Sequence, residues 1–144
     1  MELVNLDSIV VKGISVRTNN TDEMTDSANK IPALWQQAGE EVFPNMLVGG
    51  SIYGIYHNYA SDVNGDYDLL VGSDKVKVDN TEVKLEEGKY LKFEATGEMP
   101  DACIKLWQDI WAYFNSEECS YERAYTTDFE KYNQHGVEIY IAVK

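Results

Sequence analysis

The sequence predicts an α+β domain in which two βαββ units lie side by side as one antiparallel sheet, with two helices on one face. Three observations predict it. The apolar periodicity switches between strand and helix in the order strand, helix, strand, strand, twice. Short motifs recur at matching places in the two halves. A length of 144 residues suits one domain with enough chain to bury a core. The whole chain, 1–144, is therefore expected to be a single domain, with repeat one over about 1–75 and repeat two over about 88–144.

In order, "LDSIVVKGISVRTNN" is a β-branched run with a kink at Gly13, and reads as a strand. "TDEMTDSANKIPALWQQAGEEVF" begins polar and then carries Ile31, Leu34, Trp35 and Ala38 at helical spacing. "GGSIYGIYHNYASD" and "GDYDLLVGSD" are strand-like, joined through Asn64–Asp66, whose "NGD" supplies the backbone freedom of a reversal. The linking segment "KVKVDNTEVKLEEG" adds a strand or hairpin of its own. The order then repeats: "KYLKFEATG" as strand, "EMPDACIKLWQDIWAYFNSEE" as helix, "YERAYTTDFEKY" and "VEIYIAVK" as strands.

Residues echo the repeat. "LWQQ" at Leu34–Gln37 answers "LWQD" at Leu106–Asp109, and "YHNY" at Tyr56–Tyr59 lines up with "FEKY" at Phe129–Tyr132, setting Glu130 against His57. The midline between the copies is a natural cleft. In the second helix Ile104, Trp107, Trp111 and Phe114 follow one stripe, which reads either as core or as a pocket wall. Strand alternation puts Asp128, Glu130 and Tyr132 on one side and Phe129 on the other. In the last strand Val137, Ile139, Ile141 and Val143 oppose Glu138 and Tyr140. A face mixing tyrosines with acids is either a solvated sheet face or a pocket lining.

Composition narrows the function classes. Ten tyrosines against four phenylalanines favour a pocket or interface, where a ring buries area and keeps a hydrogen-bonding tip. With 25 acidic and 12 basic residues the formal charge is −13, a field that repels nucleic-acid and anionic membrane surfaces and attracts cations. "MELVNLDSIVVKG" is no secretory signal, and no apolar run approaches a membrane span, so the chain reads as cytoplasmic. Cys103 and Cys119 suggest reduced thiols. No cofactor is implied, and no His or Cys cluster points to a metal; "DVNGDYD" lacks the length and final Glu of a calcium loop.

Taken together, "VVKGISVRT", "KIPALW", "IYGIYHNYASDVNGDYDLLVG", "GKYLKFEATGEMPDACIKLWQDIW" and "YERAYTTDFEKY…VEIYIAV" resemble the GyrI-like effector-binding domain, the ligand-binding half of AraC-type and multidrug-responsive MerR-type regulators. The resemblance spans nearly the whole chain and is greatest to the stand-alone cationic-drug-binding proteins of integron gene cassettes. It implies a duplicated βαββ fold and an aromatic pocket over a buried carboxylate, binding small hydrophobic cations. It implies roles for Glu130 as cation partner with Tyr132, for Glu138 and Tyr140 from "VEIY", and for Trp107 and Trp111 as aromatic walls. Tyr53 and Tyr59 are further candidate ligand-binding residues. No helix-turn-helix segment precedes the first strand, so no direct contact with nucleic acid is expected.

Two alternatives stay open beside this reading, in which the chain is not an enzyme. A GyrI-like hydrolase would use Glu130 as general base and Tyr140 as proton donor, although no Ser/His/Asp set can be assembled from His57, His135 and their neighbours. A protein-interaction inhibitor resembling those of DNA gyrase would use the acidic surface.

Overall fold

A computed structural model describes residues 1–144 apart from Asp26, Val63 and 78–80. The β-branched and aromatic runs form eight strands: β1 (Glu2–Leu6), β2 (Val10–Thr18), β3 (Ile52–His57), β4 (Tyr67–Ser73), β5 (Thr81–Lys84), β6 (Gly88–Thr96), β7 (Asp128–Tyr132) and β8 (Gly136–Ala142). Between them lie a one-turn helix α1 (Asn20–Glu23), α2 (Ile31–Glu41) and α3 (Asp101–Phe114). The linking segment does supply a strand, β5; its residues Val78–Asn80 lie outside the described residues. The edge strand β1 was not anticipated. No described helix is long and apolar enough to cross a membrane.

All eight strands form one antiparallel sheet in the order β1-β6-β8-β7-β3-β4-β2-β5. Inside the two edge strands the order is palindromic: β6-β8-β7 from the second half meets β3-β4-β2 from the first, and β3 pairs with β7 at the middle. This is the arrangement expected of two βαββ units. In β2 and β4 the kink glycine has a steric cause: Gly13 pairs with Gly72, and a Cβ on Gly13 would lie 2.0 Å from the Val71 carbonyl oxygen.

Register decides which residues share a face. Leu69 pairs with Tyr56, Tyr56 with Asp128, and Glu130 with Ile139. Leu69, Tyr67 and Val71 pack against Leu34, Ala38 and Val42 around α2, while Ile139, Ile141 and Val137 pack against Cys103, Leu106 and Ile110 of α3. Both helices therefore cover the same face, about 1.5–3 kcal/mol of burial for each large apolar side chain. At the start of α2 the Glu23 carboxylate accepts from the backbone N–H groups of Lys30 and Ile31, a cap supplied from the last residue of α1.

The helix-free face is not a solvent face. Tyr53, Ile55, Leu70, Tyr90, Phe129 and Tyr140 form a second buried cluster there. No helix covers it because the sheet curls. β5 and β6 stand six strand spacings apart, about 29 Å in a flat sheet, yet Lys84 and Gly88 are joined by a link reaching at most about 14 Å. The sheet has to bend until this face closes on itself, and Leu85 of the link is buried in the cluster.

Candidate functional site

Glu130 sits at the centre of the sheet, 3% exposed, on the helix side of β7. Its partner across β3 is Gly54. Glycine leaves the carboxylate its place there, since a Cβ on residue 54 would stand 2.9 Å from Glu130 Oε1 and push it aside. The carboxylate accepts three hydrogen bonds: from the Tyr132 hydroxyl at 2.6 Å on Oε1, and from the Tyr56 hydroxyl at 2.8 Å and Trp107 Nε1–H at 2.7 Å on Oε2. All three donors are neutral. Burial first, and then the charge of Glu130, pushes the Tyr56 and Tyr132 phenols well above the ordinary tyrosine value, so both remain donors at any physiological pH. The Cys103 thiol, 3.5 Å from the Tyr132 hydroxyl, is likewise pushed up by burial and by Glu130. That is an inert thiol, not a nucleophile.

Above this carboxylate, between α3, β3 and the segment around α1, lies a cavity of about 380 Å³. Its floor and walls are Tyr56, Tyr59, Tyr67, Trp107 and Trp111, with Met24 and Ile104 at the rim. The rings support one another edge to face: Tyr56 with Trp107 and with Tyr67 at 5.3 Å each, and Trp107 with Trp111 at 6.0 Å in a tilted contact. The indole stripe of α3 is thus separate from its core stripe, which is Cys103, Leu106 and Ile110. Ile104 is half exposed, and Trp107 and Trp111 look into the cavity.

Two residues before Glu130, on the same strand face, Asp128 is fully buried and differently served. Its Oδ2 accepts from Arg123 Nη2 at 2.7 Å and from the Tyr59 hydroxyl, and its Oδ1 accepts from the Ala142 N–H at 2.8 Å. Burial opposes the charge on Arg123, but Asp128 together with Tyr59 and Tyr125 outweighs it and raises its pKa. The guanidinium also stacks 4.5 Å above the Tyr125 ring.

Of the residues predicted from sequence, Glu130, Tyr132, Trp107, Trp111 and Tyr59 are brought together. Tyr53, Glu138 and Tyr140 are not. The β7–β8 hairpin pairs Glu130 with Ile139 and Phe129 with Tyr140, and β3 pairs Tyr53 with Lys131, which puts all three on the helix-free face. Tyr140 stacks on Phe129 at 4.6 Å and donates to Glu138, and Glu138 faces Lys92 at 3.4 Å. A general base at Glu130 with Tyr140 as its acid partner is therefore not assembled: the sheet lies between them. The match of Glu130 with His57 is also corrected, because Gly54 stands opposite Glu130, and His57, paired with Asp68, is on the other face. Sequence reasoning missed Tyr56, Tyr67, Gly54 and Arg123. Counting strand faces in the repeat would have found Tyr56, since a shift by an odd number of residues exchanges faces. Among the described residues no group of three His, Cys, Asp or Glu side chains is placed to hold a metal ion.

Residues 2–143 match the family Cass2, integron-associated effector binding protein. An integron cassette protein of Vibrio cholerae is 39% identical, superposes with a TM-score of 0.93, and is matched over 99% of this chain and 95% of that one. The Bacillus subtilis (strain 168) protein YobU is 30% identical over 159 residues, 99% of this chain and 96% of YobU. SAV2435, solved with tetraphenylphosphonium bound, shares the fold at a TM-score of 0.75 and 19% identity, over 99% of this chain and 93% of that one.

Proposed function

The chain belongs to the Cass2 family of integron-associated effector-binding proteins, and on that premise we propose that its effectors are hydrophobic organic cations held in the aromatic cavity over Glu130. One observation carries the reading. Glu130 is a buried carboxylate whose three hydrogen-bond partners are all neutral, whereas Asp128 beside it has its own arginine. A buried charge without a counter-charge is costly, and a cation arriving with its ligand offsets that cost.

Glu130 is reached through its donors. Tyr56 and Trp107 line the cavity and hold the carboxylate beneath it, so a cation above their rings is one side-chain layer away. At roughly 6 Å and an effective dielectric near 20 the attraction is about 3 kcal/mol. Each ring face adds about 0.5–2 kcal/mol of cation–π attraction. The rest of the affinity is apolar contact, which selects for large, delocalised cations and tolerates many shapes. The fold neighbour that holds tetraphenylphosphonium supports the same ligand class.

The test uses two ions of one shape and opposite charge, tetraphenylphosphonium and tetraphenylborate, titrated against tryptophan fluorescence. The phosphonium is expected to quench with saturation and the borate not to. Removing the charge by Glu130→Gln is expected to weaken the phosphonium alone. Equal affinity of wild type and Glu130→Gln for the phosphonium would sink the proposal.

A further inference from the structure

A second cavity, about 550 Å³, adjoins the first and shares two wall residues with it, Trp111 and Arg123. Its character is different: Phe114, Tyr121 and Tyr125 give it apolar sides, and Glu122 at its edge is held by Lys144 Nζ at 3.0 Å. Arg123 is the residue the two cavities have in common that carries charge. Its side chain is only 10% exposed. Short pairing with the end of β8 fixes its backbone, through the Arg123–Val143 bridge and the Ala124 N–H to Ala142 carbonyl bond at 2.9 Å. Rings of Tyr125 and Phe114, 4.5 and 5.9 Å from the guanidinium carbon, hold the group in place. Nη2 serves Asp128, but the buried Nε–H has no acceptor among the described residues. A buried donor without a partner is costly, and a ligand acceptor that shifts the side chains enclosing it gains a full hydrogen bond there.

We infer that the two cavities form one bipartite site for zwitterionic amphiphiles, molecules with an aromatic or bulky cation over Glu130 and a tethered carboxylate that takes the free edge of Arg123. This rests on the cation reading of the first cavity. Asp128 and Glu130 are two residues apart on one strand face, about 7 Å along the chain, so the two poles of such a ligand would be separated by a spacer of a single ring or a few bonds. The protein's overall charge sharpens the choice. At a formal −13 it disfavours a free anion, and a carboxylate enters only when carried by a cationic head.

The experiment compares a rhodamine methyl ester, a plain cation, with the corresponding free acid, a zwitterion of the same ring system. Arg123→Gln combined with Asp128→Asn removes both members of the ion pair together, so no lone charge is left buried. Arg123→Lys keeps the charge beside Asp128 but loses the planar fork of donors. In the wild type the acid is expected to bind at least as tightly as the ester, and in either variant the acid-to-ester affinity ratio is expected to fall about tenfold, the scale of a lost charge-assisted bond. An ester that binds while the acid binds tenfold or more weaker to the wild type, or a ratio unchanged in a folded variant, overturns the bipartite site and leaves the cation reading standing. Failure of both dyes to bind the wild type overturns the cation reading and the bipartite site with it.

Discussion

Asp128 and Glu130 are carboxylates on one strand, one face and nearly equal in burial, yet their surroundings are opposite in kind. Around Asp128 the protein has built its own cation, Arg123, and closed the circle with Tyr59 and a backbone N–H. Around Glu130 it has placed only phenols and an indole. Hydrogen bonds satisfy lone pairs in both places, but charge is balanced in one only. Hydrogen-bond satisfaction and charge balance are separate requirements, and a binding site can be made by meeting the first and leaving the second to the ligand.

The largest effect that would test this contrast is on stability. Arg123→Ala strands Asp128 without its counter-charge and is expected to cost about 3–5 kcal/mol in urea unfolding. A loss under about 1 kcal/mol would mean that Asp128 does not depend on its arginine. At Glu130 the same logic predicts the reverse pattern. Glu130→Gln is expected to lower affinity for a hydrophobic cation by on the order of 1–3 kcal/mol. Its stability should hold, because the amide oxygen can keep the Tyr56 and Trp107 donors while the Tyr132 hydroxyl turns to accept from the new NH2. A chemical-denaturation midpoint well below wild type would show the carboxylate to be structural.

Alkaline pH probes both networks at once. The phenols of Tyr56, Tyr59 and Tyr132 all lie above their unfolded value of 10.0 because burial penalises the phenolate, with the neighbouring carboxylate adding to it. Their native forms hold protons that the unfolded chain releases, so their contribution is complete below about pH 10 and is lost as pH rises further, by up to about 1.4 kcal/mol per phenol and pH unit. Tyrosinate absorbance from these three residues is expected to appear together with loss of structure. Its appearance in a folded protein would contradict their burial.

Smaller effects locate the site. Gly54→Ala puts a methyl group against Oε1 and should displace the carboxylate, weakening cation binding by about 1 kcal/mol while the far end of a flexible side chain absorbs the contact. Glu138→Gln, across the sheet, is expected to leave cation affinity unchanged in the same fluorescence titration. A loss comparable to that of Glu130→Gln would mean that the helix-free face takes part after all.

Much of this was legible from sequence. Periodicity located α2, α3 and the six strands of the repeat, because long alternating or helical runs determine which side of an element is apolar. The residues of "DFEKY" gave Glu130 and Tyr132 on one face by alternation alone. What alternation within one strand cannot supply is the match between strands. The β7–β8 turn pairs even-numbered with odd-numbered residues, so the acidic side of β7 continues into the apolar side of β8. Glu138 and Tyr140, though spaced like Glu130 and Tyr132, fell on the far face for that reason. The role of Arg123 was hidden likewise, since its partner is fixed by a loop crossing to the end of β8. The curl was not visible in any one strand, although the short link between β5 and β6 demands it once the strand order is known.

The pairing of Gly54 with Glu130 has a consequence for ancestry and for stoichiometry. An antiparallel pair has a local two-fold axis, and the axis through these two residues relates Tyr56 to Tyr132, each two positions further on and each a donor to the one carboxylate. Two identical half-length chains meeting here would carry the same residue twice on the axis. With two glutamates the space that Gly54 now leaves would be filled and two like charges would collide; with two glycines there would be no charge at all. Joining the halves in one polypeptide lets a single acid occupy the symmetric position. That one acid accepts from both symmetry-related tyrosines, Tyr56 on Oε2 and Tyr132 on Oε1, so a single charge serves the two halves.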